Sequence, residues 1–422
     1  VTSTDVPSPQ AWVEHAIWWH VYALGAVGAP VREPDTDPEP HRLRRLLPWL
    51  DHVVALGANG LLLGPVFASS THGYDTTDHG RVDPRLGTEE DLDALLAAAR
   101  ERGIRVLMDG VFHHVGAEHP LVAQVLAEGR DGPRASWLAV DWDAPGGPRT
   151  ADFEGHRALV KLNHDEPAVA DLVAHVMTHW LDRGIDGWRL DAAYAVPPAF
   201  WARVLPRVRE RHPGAWVVGE VIHGDYAAVV RESGMDSVTQ YPLWKATWSS
   251  LRDRNFFELD WALQRHAELL EELLPQTFVG NHDVTRIATQ VGADAAVLAL
   301  VVLMTVGGVP SVYYGDELGW TGLKEEREGG DDAIRPALPE APPDPSAPGQ
   351  DVLHAHQALI ALRRQHPWLV HARTRADELT NERYRYTATS PDGTHRLQVE
   401  LDVTDRPRAV VRDGGLVVWA FG

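Results

Sequence analysis

The sequence contains no cysteine, which excludes disulfides, thiolate metal sites and a cysteine nucleophile. It has no run of about 18 apolar residues, the length needed to span a bilayer. Its opening, residues 1–10, is polar and contains proline. No basic stretch followed by an apolar one is visible there, so no secretion signal is read and a cytoplasmic location is expected. Positive charge is also in deficit: 39 Lys and Arg stand against 60 Asp and Glu, a net charge of −21. That balance argues against nucleic acid and anionic membrane as partners and suits a neutral ligand. There is no internal repeat and no low-complexity tract, and no Gly-rich phosphate turn follows an early strand.

Across the 422 residues 44% are apolar, enough for a large core and a smaller second domain. Sixteen tryptophans are an excess. Most are expected in the core, but aromatic faces also stack on the apolar C–H faces of sugar rings. Short β-branched or leucine-rich runs at 16–22, 60–63, 104–109, 185–190, 216–220, 237–240, 276–279 and 309–313 read as strands. Helical spacing at 43–56, 89–102, 168–182, 198–210, 260–274 and 293–305 falls between them. Thr88 is a candidate N-cap, and Gly57, Gly103 and Gly184 stop three of the helices. Eight strands alternating with helices predict an α/β fold, a closed parallel (β/α)8 TIM barrel. An open doubly wound sheet is the alternative, but it calls for the phosphate turn that is missing.

Two long loops interrupt the pattern. Residues 115–160 follow the third strand, and residues 316–350 follow the eighth. Both fall on the face where barrel chemistry sits. A last helix at 353–365 stops at His366 and Pro367, after which alternation at 383–387, 396–401, 408–411 and 416–420 predicts a small antiparallel β domain. The expected division is therefore a barrel of residues 1–114 and 161–366, a short inserted loop domain at 115–160, and a sandwich-like C-terminal β domain at 367–422.

Three acidic residues stand at the ends of strand-like segments: Asp191, Glu220 and Asp283. Converging carboxylates are what acid/base cleavage of a glycosidic bond requires, one ionised and one protonated, with environments that separate their pKa values. Taken alone, Arg189 with Asp191 also reads as a structural ion pair. His113 and His114 also read as a metal pair, although adjacent strand residues face opposite ways and no His-x-His marks the first strand.

Six segments in order resemble the α-amylase family of retaining glycosidases, glycoside hydrolase family 13. They are His72-Gly73-Tyr74-Asp75, Asp109 through His113-His114, Gly187-Trp188-Arg189-Leu190-Asp191, Gly219-Glu220, Asn281-His282-Asp283, and Gly308 through Glu317. The resemblance implies Asp191 as nucleophile, Glu220 as general acid and base, and Asp283 as the third carboxylate, binding sugar hydroxyls. It implies that His114 and His282 donate to the sugar and that Tyr74 stacks on the ring being cleaved, with His72 and Asp75 ordering that loop. Arg189 would share a side of its strand with Asp191 and lower its pKa. Arg286 and Arg335 complete the expected substrate-binding set by pairing with acidic groups and holding the loops.

The departures are specific. His113 stands where the family often has a calcium-ligating Asn, and imidazole is a poor calcium ligand, so no metal or other cofactor is expected. Tyr194-Ala195 replaces the Lys-His pair of many α-amylases, which argues against endo-attack on long starch. Leu159-Val160-Lys161-Leu162-Asn163 resembles a segment of the neopullulanase, cyclomaltodextrinase and maltogenic amylase group. The extra N-terminal β domain usual there is not expected within these 422 residues, and its usual Trp after the acid is Ile222 here. The implied activity is hydrolysis of α-1,4 bonds in short or cyclic α-glucan oligosaccharides. A glucosyltransferase or isomerase on the same site and a non-catalytic sugar-binding barrel are the alternatives, and the motifs specify no oligomeric state.

Overall fold

The computed structural model describes residues 11–32, 39–347 and 349–422. The polar opening at 1–10 lies outside the described residues. The eight expected strands are present: β1 Trp18–Val21, β2 Gly60–Leu63, β3 Arg105–Gly110, β4 Gly187–Leu190, β5 Trp216–Gly219, β6 Ser237–Val238, β7 Gln276–Phe278 and β8 Val309–Tyr313. All neighbours pair in parallel, in the order β6-β5-β4-β3-β2-β1-β8-β7. A parallel bridge between Thr239 and Gln276 joins the two ends, closing the barrel.

The strands read as continuous apolar runs because both of their faces are buried. Trp18, Leu62, Leu107, Trp216, Val218 and Val309 form one interior cluster. Gly60 makes room for it, since a Cβ there would meet the Trp18 ring at 2.3 Å. The barrel helices include α1 Leu47–Leu56, α2 Glu89–Glu101, α3 Pro167–Arg183, α4 Pro198–Arg211, α5 Tyr226–Ser233, α6 Tyr241–Arg252, α7 Phe257–Leu269, α8 Ala293–Thr305 and α9 Asp351–Gln365. Thr88 starts α2 as expected: its N–H donates to Asp91 Oδ2 at 3.0 Å, half of a capping box. None of the described helices is long and apolar enough to cross a membrane.

After β3 the chain leaves the barrel through the helix Pro120–Glu128 and a small antiparallel sheet of His114–Gly116, His156–Lys161 and Asp152–Phe153. The C-terminal part corrects one expectation. It is a single five-stranded antiparallel sheet, β9 Arg373–Leu379, β10 Arg383–Thr389, β11 Arg396–Asp402, β12 Arg408–Asp413 and β13 Leu416–Phe421, where the sequence pointed to a sandwich. Helices supply the second layer. Tyr384 and Tyr386 face inward, Tyr384 donating to Asp260 Oδ1 of α7 at 2.9 Å and Tyr386 bonding Thr305 of α8 at 2.6 Å. That position, between barrel and sheet, explains why α8 is apolar on nearly every side.

Candidate active site

Register builds the centre of the site. Arg189 of β4 lies opposite Asp109 of β3, and Leu190 lies opposite Gly219 of β5. Asp191 and Glu220 are therefore the next residues along, and each still donates its backbone N–H across the ladder, to Gly110 at 3.0 Å and to Leu190 at 2.9 Å. The Arg189 guanidinium then ties three carboxylates together. Its Nη1 reaches Asp109 at 2.7 and 2.8 Å and Asp191 at 3.3 Å, and its Nη2 reaches Glu220 at 2.7 Å. All four residues are buried.

Glu220 has further partners. Oε2 accepts the Ala192 N–H at 2.9 Å, and Oε1 accepts the Tyr241 hydroxyl at 3.2 Å. Asn281 donates to that hydroxyl at 3.0 Å. Ala192 adopts φ 46°, a left-handed conformation costly for a residue with a Cβ. Such strain collects where a site dictates the backbone path, here the path that aims an N–H at Glu220.

The charges do not follow the sequence expectation for Asp191. Burial first, then repulsion from Glu220, push its carboxyl well above the usual range, against the pull of Arg189. Arg189 makes its shorter contacts with Asp109 and Glu220 and sits farther from Asp191, so its pull there is outweighed by burial and by Glu220. Asp283 goes the other way. Burial acts to raise it, but His282, then Arg335 and Arg189, outweigh burial and hold it well below the usual range. The contacts are His282 Nε2 to Asp283 Oδ2 at 2.9 Å and Arg335 Nη2 to Asp283 Oδ1 at 2.9 Å.

Beside Asp283, three rings stack. Tyr22, His282 and Tyr74 are nearly parallel, with centroids 6.0 and 5.4 Å apart. The Tyr74 hydroxyl donates to Asp109 Oδ2 at 3.0 Å and accepts from His282 Nε2. Arg335 lies over Tyr22, 4.6 Å from the ring centre, and beside it a groove of about 440 Å³ is lined by Gly25, Arg32, Asp332 and Ala337.

Asp191, Glu220, Asp283, Arg189, Tyr74, His282 and Arg335 therefore come together. His72 borders them: its Nδ1 accepts the Tyr74 N–H at 3.2 Å and its carbonyl accepts the Tyr22 hydroxyl at 2.8 Å. Asp75 is buried, with its oxygens held by Thr71 at 3.1 and 2.6 Å, and it orders the loop as expected. Arg286 and His114 lie buried around this group. Arg286 is fully buried, donating to the Tyr314 and Ile334 carbonyls and to Asp316, so it pairs with an acidic group and braces the loop after β8. His114 is also buried; its Nε2 donates to the Tyr74 carbonyl at 2.9 Å and its Nδ1 faces His113 Nδ1 at 3.1 Å. Sequence reasoning missed the roles of Asp109, Tyr22, Tyr241 and Asn281. Asp109 had a signal, an acid at the end of the strand beside Arg189; Tyr241, at the start of α6, had none.

The residues at the family's calcium position do not fit that ion. His113 packs against Phe153, His114 and His164, at ring distances of 4.9, 5.4 and 5.6 Å. Burial, then the neighbouring histidines, lower its pKa to about 3. Among the described residues no group of three His, Cys, Asp or Glu could hold a metal. Calcium prefers several oxygen ligands, which an imidazole and aromatic rings do not supply.

Residues 43–147 and 152–347 match the family model described as alpha amylase, catalytic domain. A cyclomaltodextrinase of a Bacillus species is 30% identical over 393 residues, 87% of this chain and 68% of that protein. A maltogenic alpha-amylase of Bacillus acidopullulyticus is 29% identical over 395 residues, 87% of this chain and 66% of that protein. The chain spans 59% to 68% of the length of four such curated relatives. Among solved structures, the cyclic α-maltosyl-(1→6)-maltose hydrolase of Arthrobacter globiformis aligns with a TM-score of 0.80 and 26% identity, over 94% of this chain and 92% of that one.

Proposed function

The chain belongs to the α-amylase family of glycoside hydrolases, and from that premise we propose that it hydrolyses α-1,4-glucosidic bonds of short or cyclic α-glucan oligosaccharides by double displacement. The single observation that carries this reading is the Arg189 guanidinium reaching Asp191 and Glu220 at once. One planar group contacting both carboxylates keeps them close, the arrangement of retaining rather than inverting enzymes.

In the first step an Asp191 oxygen attacks the anomeric carbon, the bond to the leaving sugar breaks, and Glu220 gives its proton to the departing oxygen. In the second, Glu220 takes a proton from water, the water oxygen attacks the same carbon, and Asp191 is released. Burial and the charge of Glu220 raise the proton affinity of Asp191. A bound glycosidic oxygen beside Glu220 gives the proton an acceptor there, and an electron-poor anomeric carbon favours bare Asp191 carboxylate. Asp283 stays ionised and faces the cation-like transition state.

The substrate class rests on likeness to relatives named for cyclomaltodextrins and for a cyclic maltosyl-maltose. Transfer to a sugar acceptor would use the same glycosyl-enzyme. The complete set of Arg189, Asp191, Glu220 and Asp283 argues against a non-catalytic barrel. On the chemistry around His113 we also propose that activity is independent of calcium. Initial rates on maltotriose and a cyclodextrin, before and after chelation with EDTA, test both parts. Turnover with unchanged rate and melting temperature is expected. Absence of turnover would sink the substrate assignment, and a calcium-restorable loss would sink the metal-free reading.

A further inference from the structure

His20 of β1 lies in the ladder beside Leu62 of β2 and Tyr313 of β8, with its side chain buried. Its ring meets His282 edge-on, with centroids 5.1 Å apart and planes at 79°. Each ring brings one buried nitrogen that has no hydrogen-bond partner among the described residues, His20 Nε2 and His282 Nδ1. The hydroxyls nearby are committed elsewhere. Tyr313 donates to the Ile334 carbonyl at 2.9 Å, Tyr22 to the His72 carbonyl at 2.8 Å and Tyr74 to Asp109 at 3.0 Å. A buried nitrogen left unpaired is costly, so two orphans on adjacent rings are most simply each other's partner, directly or through one water.

His282 has a use for such a partner. It lies between Tyr22 and Tyr74 with its plane at 6° and 5° to theirs. Stacking fixes the plane of an imidazole but not its orientation within that plane, because a half-turn about the bond to the ring leaves the plane unchanged. In the observed orientation Nε2 contacts Asp283 Oδ2 at 2.9 Å and donates to the Tyr74 hydroxyl. The half-turn would put a carbon where Nε2 stands and remove the first of the groups that hold Asp283 ionised. A bond at Nδ1 breaks this symmetry, since the turned ring offers carbon there too. Burial, then His282 and Arg189, hold His20 well below the usual histidine range, so its ring stays neutral. A neutral imidazole carries one N–H and one lone pair, and so meets Nδ1 as donor or as acceptor.

We propose that His20 is a positioning residue for the cleavage reaction: by pairing with His282 Nδ1 it fixes the ring that holds Asp283 and Tyr74 in place. The assignment rests on the glycosidase reading above, and His20 acts through His282 without touching the sugar.

Kinetics on maltotriose and on α-maltosyl fluoride test it, using His20→Leu, His20→Gln and each of these combined with His282→Gln. His20→Leu is expected to lower kcat about tenfold with KM within about twofold, because Asp283 acts on the transition state. His20→Gln should stay within about threefold of the unaltered protein, since its amide also donates or accepts. In the His282→Gln background His20→Leu should cost less than about twofold more. Melting temperature gives an independent reading. Leucine in place of a paired histidine should lower it, whereas leucine in place of an orphaned one would raise it. Should the leucine variant not fold, His20→Met carries the same comparison. An unchanged kcat, a glutamine variant no better than leucine, or equal losses in both His282 backgrounds would overturn the proposal while the glycosidase reading stands. If the unaltered protein cleaves neither substrate, the glucan reading fails and the proposal falls with it.

Discussion

Asp191→Asn is expected to lower kcat by on the order of 10⁴-fold, the scale at which loss of a nucleophile or its partners acts in other enzymes. The amide matches the carboxylate in size but cannot form the glycosyl ester. Stability should move the opposite way. Burial and Glu220 raise the Asp191 pKa above its unfolded value. A carboxyl shifted in that direction weakens the fold at every pH above the unfolded pKa, because ionising it costs more in the folded state. Near neutral pH the neutral amide should therefore melt at the same temperature or higher, an exchange of stability for function. Kinetics on maltotriose and thermal melts at pH 7 check both halves. Residual activity within about tenfold would remove Asp191 from the nucleophile role.

The second large effect is expected at Arg189. Its 3%-exposed side chain is the cation shared by Asp109, Asp191 and Glu220. Arg189→Met would leave buried carboxylates without it and should cost about 3–5 kcal/mol in denaturant unfolding. Arg189→Lys keeps the charge but offers one nitrogen where the site uses two, with Nη1 on Asp109 and Asp191 and Nη2 on Glu220. Its kcat/KM should fall by about 10²-fold or more even where the protein remains folded. A lysine variant with near-normal activity would show that charge alone matters and that the fork geometry does not.

Much of the fold was legible because buried parallel strands announce themselves. Gly60–Leu63 and Val309–Tyr313 lie at the boundaries read from the apolar runs, as does the helix Ala293–Thr305. The segments that were missed lacked that signal. Tyr241–Arg252 mixes aromatic and polar residues from a Pro-containing first turn, and Arg373–Leu379 is a charged edge strand with little alternation. The sandwich expectation failed because alternation shows that one sheet face is buried without showing what covers it, and here the cover includes α7 and α8. At the site, residue types and order were readable but partnerships were not. That Asp109 shares Arg189 depends on the β3–β4 register, and that Arg286 is sealed behind Tyr313 and Tyr314 depends on the path of a loop. The Asp191 shift was misjudged because period-2 spacing placed Arg189 nearby but could reveal neither the burial of Asp191 nor the two other carboxylates that share Arg189.

The most direct test of the central claim, a double displacement at Asp191, is proton NMR of the sugar anomers released in the first minutes from maltotriose, with Asp191→Asn as the blank. The account predicts α-anomer first, mutarotating later, and no signal from the variant. β-Anomer appearing first would mean a single inversion and would contradict it.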